Sequence, residues 1–265
     1  MNVIADVVAC EELQDLVGLD SVKAGISALR DTVEFDMWRR RFLGEHWSLL
    51  GQNFHMRFLG NPGTGKTVVA RIVGKILVEL GVVKKPENPD LEDGFVFREV
   101  SRADLVGSYV GHTAPKVQKA VKSAFGGVLF IDEAYSLIQG ERDSFGQEAV
   151  DTLIKEIEDH RDKVIVILAG YHKEMDTFFK SNPGFQSRVP FRFDFADYSC
   201  EELSEMSGMS LKKQNITPTV EAKSWISKMV GEKTGCCSEA QLEGGTCSGA
   251  TRDNGNGRAA WICLD

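Results

Sequence analysis

The hydrophobic positions of this chain form short apolar runs, separated by longer stretches with helical spacing. Several runs, such as "GVLFID" and "KVIVILAG", show almost no polar alternation, which is typical of strands covered on both faces. The five predicted strands cover residues 55–60, 95–100, 127–132, 163–170 and 191–195.

Helical spacing fills most of the intervals between these strands. In residues 20–40, for example, Val22, Ile26 and Leu29 recur three or four positions apart and predict one apolar helix face. The predicted helices cover residues 20–40, 67–80, 114–124, 146–159 and 172–180. Strands that alternate with helices in this way predict an α/β sandwich with a five-stranded, mainly parallel sheet.

The pattern changes after Tyr198, where only helices are predicted. One covers residues 200–212 and a second begins at Thr217-Pro218. We therefore expect a helical N-terminal segment at 1–50, an α/β core at 51–198 and a small helical lid at 199–265. The lid is expected to be loosely ordered from about residue 231, where the chain becomes rich in Gly, Ser and Cys.

The charge, the apolar runs and the cysteines of the chain limit which partners and which cellular compartment are expected. The 265 residues include 31 Lys or Arg and 39 Asp or Glu, and the net charge of −8 argues against a nucleic-acid binder. No apolar run is long enough to cross a bilayer, and no signal or transit peptide is visible at the start. Cys236, Cys237, Cys247 and Cys263 lack zinc-site spacing, so we expect reduced thiols in the cytoplasm or a plastid stroma.

The stretch "GNPGTGKT" at 60–67 has the spacing of a phosphate-binding loop and lies between a predicted strand and a predicted helix. Its glycines let backbone N–H groups approach phosphates, Lys66 adds a positive charge, and the Thr67 hydroxyl suits a Mg²⁺ coordination position. The residues expected to contact ATP here are Asn61, Pro62, Gly63, Thr64, Gly65, Lys66, Thr67 and Val68. A plain glycine-rich turn is the alternative.

The stretch "GVLFIDEA" at 127–134 places two acids at the end of a predicted strand. Asp132 could supply a carboxylate to the same Mg²⁺, and Glu133 could orient and polarise the attacking water. A small-molecule kinase must exclude water, so a water-activating Glu favours ATP hydrolysis. A strand end with two exposed acids and no catalytic role is the alternative.

The stretch "GSYVGHT" at 107–113 raises a separate question, because Tyr109 and Val110 lie in a predicted loop between Gly107 and Gly111. The tyrosine could fold back onto the core, as in many turns, or serve a binding role at the surface.

Taken together, the phosphate loop, "VLFIDEAYSL", "ILAGY", "NPGFQSRV" and "DLVGSYVGHTAPKV" resemble AAA+ ATPases of the CbbX/CfxQ (SpoVK-like) group. The start "ELQDLVGLDSVK" is similar to the segment before the phosphate loop in that group, and the resemblance covers about residues 11–230. It implies a P-loop NTPase three-layer sandwich and a ring, usually a hexamer, with ATP and Mg²⁺ between subunits. It also implies a protein client, which in the best-known relatives is Rubisco of the red lineage.

The resemblance implies further residue roles. Val17 and Gly18 would lie against the adenine, and Arg188 would reach the γ-phosphate bound by a neighbouring subunit. The alternative for Arg188 is a pair with a surface acid. The loop at 109–111 would line the central pore, where its aromatic residue would grip a threaded polypeptide.

The chain departs from the family pattern at three places. Ala169-Gly170-Tyr171 leaves the usual polar sensor at the end of a strand unidentified, and Gln186 stands where relatives often carry a second arginine. The terminal "GNGRAAWICLD" is similar to the start of a lid helix that carries two arginines. Arg258 matches the first of these arginines, but Trp261 occupies the position of the second. We therefore expect a truncated lid. An ATP-binding structural or regulatory subunit with weak hydrolysis is the alternative to an ATP-driven remodeller.

Overall fold

Five parallel strands form the central sheet. They are β1 (Met56–Gly60), β2 (Val96–Val100), β3 (Gly127–Ile131), β4 (Val164–Gly170) and β5 (Phe191–Phe195). Their order is β2-β3-β4-β1-β5, and each neighbouring pair is parallel. The predicted α/β class is confirmed, and every strand begins and ends within one residue of its predicted bounds.

The computed structural model describes residues 8–43, 53–83, 95–140, 142–234, 250–253 and 259–262. The chain divides into two units, Met1–Ala196 and Asp197–Asp265. The first unit contains the sheet and eight described helices: α1 (Val8–Gln14), α2 (Asp20–Leu43), α3 (Lys66–Glu79), α4 (Arg102–Leu105), α5 (Thr113–Ser123), α6 (Ser144–Asp159), α7 (His172–Ser181) and α8 (Pro183–Arg188).

The sheet separates two hydrophobic cores. Side chains that alternate along each strand point to opposite faces, so Phe58 and Phe130 belong to one core, while Leu59 and Leu129 belong to the other. Helices α1, α2 and α3 cover the first core, and α5, α6, α7 and α8 cover the second. This arrangement is the three-layer sandwich.

The two outer strands of the sheet differ from the inner ones in carrying exposed charges. Strands β3 and β4 are buried throughout, whereas β2 exposes Arg98 and Glu99 and β5 exposes Arg192 and Asp194. Arg192 also pairs with Asp194 along the same strand, at 2.9 Å between Nη2 and Oδ1.

The second unit contains α9 (Cys200–Lys213) and α10 (Val220–Thr234), which contact each other. Ser199 and Glu202 form a capping box at the start of α9: the Ser199 hydroxyl accepts from the Glu202 N–H at 3.2 Å, and the Glu202 carboxylate accepts from the Ser199 N–H at 2.7 Å. Cys200 is disulfide-bonded. The four cysteines that were expected to be reduced thiols lie outside the described residues: Cys236, Cys237, Cys247 and Cys263.

Beyond α10, the described residues form an antiparallel pair, β6 (Ala250–Asp253) and β7 (Ala259–Ile262). Trp261 therefore lies in a strand, although the stretch around it is similar in sequence to the start of a lid helix. Arg258 and most of the segment expected to be loosely ordered lie outside the described residues. None of the described helices is both long enough and apolar enough to span a membrane.

Candidate nucleotide site and exposed loop

The predicted phosphate loop connects the end of β1 to the start of α3. Gly63 and Gly65 have φ angles of +77° and +88°, a region that L side chains rarely adopt. A Cβ atom at Gly63 would meet nothing within 4 Å, so backbone conformation and not crowding requires a glycine there. The loop leads into the first N–H groups of a 14-residue helix, which have no partners within the helix and suit an anion.

At Gly60, the first glycine of the motif, a glycine is required for a different reason. It pairs in register with Phe195 of β5, and a Cβ at this position would lie 2.5 Å from the Phe195 carbonyl oxygen. Strand packing therefore requires this glycine, a reason that the spacing of the motif does not show.

Lys66 lies inside the curve of the loop. Its side chain reaches back so that Nζ donates to the carbonyl oxygens of Gly60 at 2.9 Å and Asn61 at 2.6 Å, and the residue is only 9% exposed. The Thr64 hydroxyl also donates to Asn61 O, at 2.8 Å. A buried ammonium group beside the backbone of the loop has the charge suited to nucleotide phosphates.

The other predicted ATP contacts lie in three places: the start of α3, the turn between α1 and α2, and the surface of the loop itself. Thr67 is partly buried in the first turn of α3, and Val68 beside it is 53% exposed. Val17 and Gly18 lie, partly buried, in the turn between α1 and α2, and α1 contacts α3. Pro62 is exposed at the loop surface.

Asp132 and Glu133 follow β3 at the same edge of the sheet as the loop, because the carboxyl ends of parallel strands share one edge. The Asp132 carboxylate accepts from the Glu133 N–H at 3.0 Å. Glu133 is exposed and has a φ of +47°, which is uncommon for a residue with a side chain. Both acids line an open cleft of about 560 Å³.

A 3₁₀ turn at Ala134–Leu137 begins directly after Glu133, whose carbonyl accepts from the Ser136 N–H at 2.7 Å. Tyr135 in this turn packs against Tyr171, with ring centroids 5.7 Å apart and ring planes tilted by 30°. Burial, and to a lesser degree the Glu133 carboxylate, raises the pKa of the Tyr135 hydroxyl, which keeps it protonated.

The packing of Tyr135 also explains why β4 ends without a polar side chain. A Cβ at Gly170 would lie 2.8 Å from the Met175 side chain and 2.9 Å from the Tyr135 ring. A larger residue at Gly170 would therefore displace the ring that packs beside Glu133.

Arg188 ends α8 and contacts α6 within this chain. Its Nε lies 3.3 Å from Glu158 Oε2, and its Nη1 donates to Gly184 O at 3.1 Å. The pair with a surface acid, expected as the alternative, is thus present. The described contacts of Arg188 do not include the phosphate loop, Asp132 or Glu133.

The loop at 107–112 is exposed at its tip and fixed at its base. Tyr109 is 69% exposed and Val110 is 88% exposed, so Tyr109 does not fold back onto the core. At the base, Gly107 N donates to the hydroxyl of buried Thr113 at 3.1 Å. A Cβ at Gly107 would lie 2.8 Å from Thr113 N, so this glycine permits close packing, whereas Gly111 adopts a φ of +79°.

Comparison with known proteins places this site in a family. The model described as "ATPase family associated with various cellular activities (AAA)" matches residues 56–196, which contain the sheet, the phosphate loop and both acids. The chain belongs to the AAA family. It is therefore an ATPase.

Three relatives show where this AAA chain lies within the family. It is 43% identical over 214 residues to stage V sporulation protein K of Bacillus subtilis, and the aligned part covers 80% of this chain and 62% of that protein. It is 44% identical over 224 residues to protein CbbX of Cereibacter sphaeroides, covering 83% and 68%. It is 44% identical over 212 residues to the chloroplastic ribulose bisphosphate carboxylase/oxygenase activase of Cyanidioschyzon merolae, covering 79% and 68%.

A solved structure agrees at the level of the fold. The E. coli MS115-1 HORMA:CdnC:Trip13 complex contains a chain that matches with a TM-score of 0.56 and 17% identity, covering 88% of this chain and 78% of the other. The AAA assignment and the relatives agree with the resemblance that the sequence motifs indicated.

Proposed function

We propose that this AAA ATPase binds ATP and Mg²⁺ at the loop 60–67, hydrolyses ATP between the subunits of a ring, and uses its exposed loop to remodel a protein client. The observation that supports hydrolysis most directly is the presence of Lys66 and Glu133 at one edge of one parallel sheet. Lys66 is held inside the phosphate loop that follows β1, and Glu133 follows β3, which is separated from β1 in the sheet by β4 alone. Glu133 faces a cleft lined by residues at and after the ends of β2 and β3.

Each residue has a distinct task in this proposal. Lys66 and the N–H groups at the start of α3 hold the phosphates and stabilise the negative charge that develops on them. Glu133 orients a water molecule and accepts its proton, a contribution that is typically worth about 10²–10⁴ in rate. Thr67 and Asp132 are the protein ligands suited to Mg²⁺, which, when bound, neutralises phosphate charge.

Arg188 would act in the site of a neighbouring subunit. A cation supplied to the transferred phosphate is worth about 10³–10⁵ in rate, so hydrolysis would depend on assembly. Because Arg188 pairs with Glu158 within its own chain, reaching a neighbour would require exchange of that carboxylate for a phosphate.

The client is expected to be a polypeptide, since an exposed aromatic side chain gives apolar contact with almost any sequence. The relative named as a ribulose bisphosphate carboxylase/oxygenase activase makes Rubisco one candidate. The identity to the relative named for sporulation is almost the same as the identity to this activase, so the relatives do not single out Rubisco as the client.

Two substitutions test the hydrolytic site. Glu133→Gln should keep ATP binding and lower turnover by about 100-fold or more, because the proton acceptor is lost. Lys66→Ala should weaken ATP binding itself. A fluorescent ATP analogue measures binding and phosphate release measures turnover.

Glu99→Gln is the matched control, because Glu99 lines the same cleft but lies on β2. It should leave the rate within a few-fold of the parent. A Glu133→Gln enzyme that hydrolyses ATP at the parent rate would contradict the role of Glu133. A parent protein that binds ATP without hydrolysing it would instead favour a structural or regulatory subunit.

A further inference from the structure

Arg102 lies at the junction between β2 and the exposed loop. It is the first residue of α4, whose start is closed by Ser101 and Asp104: the Asp104 carboxylate accepts from the Ser101 N–H at 2.9 Å and from the Ser101 hydroxyl at 2.8 Å. The backbone of Arg102 is thereby fixed, while its side chain, 23% exposed, extends toward the segment after β3.

One nitrogen of the Arg102 guanidinium group forms hydrogen bonds with the turn that follows Glu133. Arg102 Nη1 donates to the Ser136 carbonyl at 3.2 Å and also to the Leu137 carbonyl. Both carbonyls belong to the 3₁₀ turn Ala134–Leu137. Displacement of that turn would therefore stretch or break bonds to Arg102.

The other side of the guanidinium group pairs with Asp143. Arg102 Nη2 lies 2.8 Å from Asp143 Oδ2, and the Asp143 side chain is only 9% exposed. Burial alone would raise the pKa of Asp143, but N–H donation from Gln139 and Gly146 and the Arg102 charge hold it below the usual value. The carboxylate is thus ionised, and it also caps the start of α6.

The chain between Arg102 and the loop tip is anchored along its length. Leu105 is fully buried, and Lys116 Nζ donates to Ala103 O at 3.1 Å and to Val106 O at 3.0 Å. The contact between Gly107 and Thr113 closes the base of the loop. A shift at Arg102 would therefore carry α4 and the loop with it and would not be absorbed by slack chain.

We propose that Arg102 is a positioning residue that couples the turn after Glu133 to the exposed loop at 107–112. A change at the nucleotide site moves the turn, the turn moves the guanidinium group, and α4 moves the loop. This inference rests on the functions proposed above for Glu133 and for the loop.

Hydrogen exchange with ATPγS as the probe tests the coupling. In the parent, ATPγS should slow exchange in residues 60–67 and change exchange in residues 107–113 by about threefold or more, the size expected for coupled sites. Arg102→Lys keeps the charge but lacks the planar fork needed to hold the two carbonyls and Asp143 together. It should retain the response at 60–67 and lose the response at 107–113.

Two further variants make the result specific. Asp143→Asn can still cap α6 with its amide oxygen, but it removes the ion pair and the second oxygen that accepts from the Gln139 N–H, so it should give the same result as Arg102→Lys. Arg98→Lys is the control, since Arg98 is exposed on β2 with a 3.4 Å contact to Ser123 O, and it should respond like the parent.

The proposal is overturned if Arg102→Lys and Asp143→Asn keep the parent response at 107–113, or if the parent loop shows no response. It is also overturned if these variants lose protection at 60–67, because Arg102 would then support the nucleotide site itself. Failure of the proposed function is seen separately, in steady-state phosphate release by the parent and by Glu133→Gln.

Discussion

At the scale of single residues, His55 shows how burial sets a proton-dependent contribution to stability. It lies directly before β1 and is fully buried. Its Nδ1 accepts a hydrogen bond from the backbone N–H of Val166 in β4, at 3.0 Å. Its Nε2 must then carry the proton that is donated to Ile157 O at 3.0 Å. Burial lowers the pKa of His55 from 6.5 to about 4.

Stability should therefore fall on acidification through a defined window. Above pH 6.5 the imidazole is neutral in both states, whereas between 6.5 and about 4 only the unfolded chain gains the proton. The loss attributable to His55 is about 1.4 kcal/mol per pH unit and about 3 kcal/mol in all. Urea unfolding at several pH values measures it.

His55→Asn supplies the comparison for this prediction. The variant is expected to be less stable at pH 7, yet its free energy of unfolding should depend less on pH across the window than that of the parent. Equal pH dependence in both proteins would show that His55 is not the group responsible.

Residue roles could be predicted from the sequence where the chemistry is local. Gly63, Gly65 and Lys66 act within one short motif, so spacing alone assigned them to a phosphate loop. Gly60 and Gly170 could not be understood in this way, because each is required by a residue that is distant in sequence, Phe195 for the first and Tyr135 for the second.

At the scale of elements, the segment 102–113 has a buried part at Leu105 and an exposed loop tip at Tyr109. Tyr109→Ala should leave basal hydrolysis within a few-fold of the parent and hardly change the melting temperature, because the side chain is 69% exposed. If the loop grips a client, polypeptide-stimulated hydrolysis, measured with casein, should fall sharply.

Leu105→Ala is the matched substitution in the same segment. Leu105 is fully buried, so its truncation should cost about 3 kcal/mol of folding free energy and lower the melting temperature. Casein stimulation that is unchanged in Tyr109→Ala would argue against the gripping role.

The longer elements could be predicted because each carries several turns of periodic pattern or an unbroken apolar run. Helix α2 and strand β4 are examples. The short helices α1, α4 and α8 were not predicted, since 4 to 7 residues hold too few apolar positions to define a period. The Arg102 contacts escaped sequence reasoning because they join three separate segments.

At the scale of the whole molecule, the proposed ring makes one site depend on two chains. Arg188→Ala and Glu133→Gln subunits should each be inactive alone. In mixtures, an interface with an intact Arg188 facing an intact Glu133 can form, so phosphate release should recover in part. Mixtures shown to co-assemble but without recovery would count against an Arg188 that acts on its neighbour.

The proposed ring and client rest on similarity to relatives and not on periodicity or composition. Within one chain Arg188 contacts Glu158 and Gly184, and neither contact indicates whether the residue acts on a neighbouring subunit. The disulfide at Cys200 was likewise not predicted, because cysteine spacing does not specify pairing.

The charged outer strands of the sheet have a consequence for solubility. An open sheet edge offers unpaired N–H and C=O groups to any strand that approaches, and growth by strand addition has no natural end. Here an added strand would have to pack beside the exposed Arg98 and Glu99 on β2, or Arg192 and Asp194 on β5. These charges disfavour fibre-like stacking of copies through the edges of the sheet, even at high local concentration.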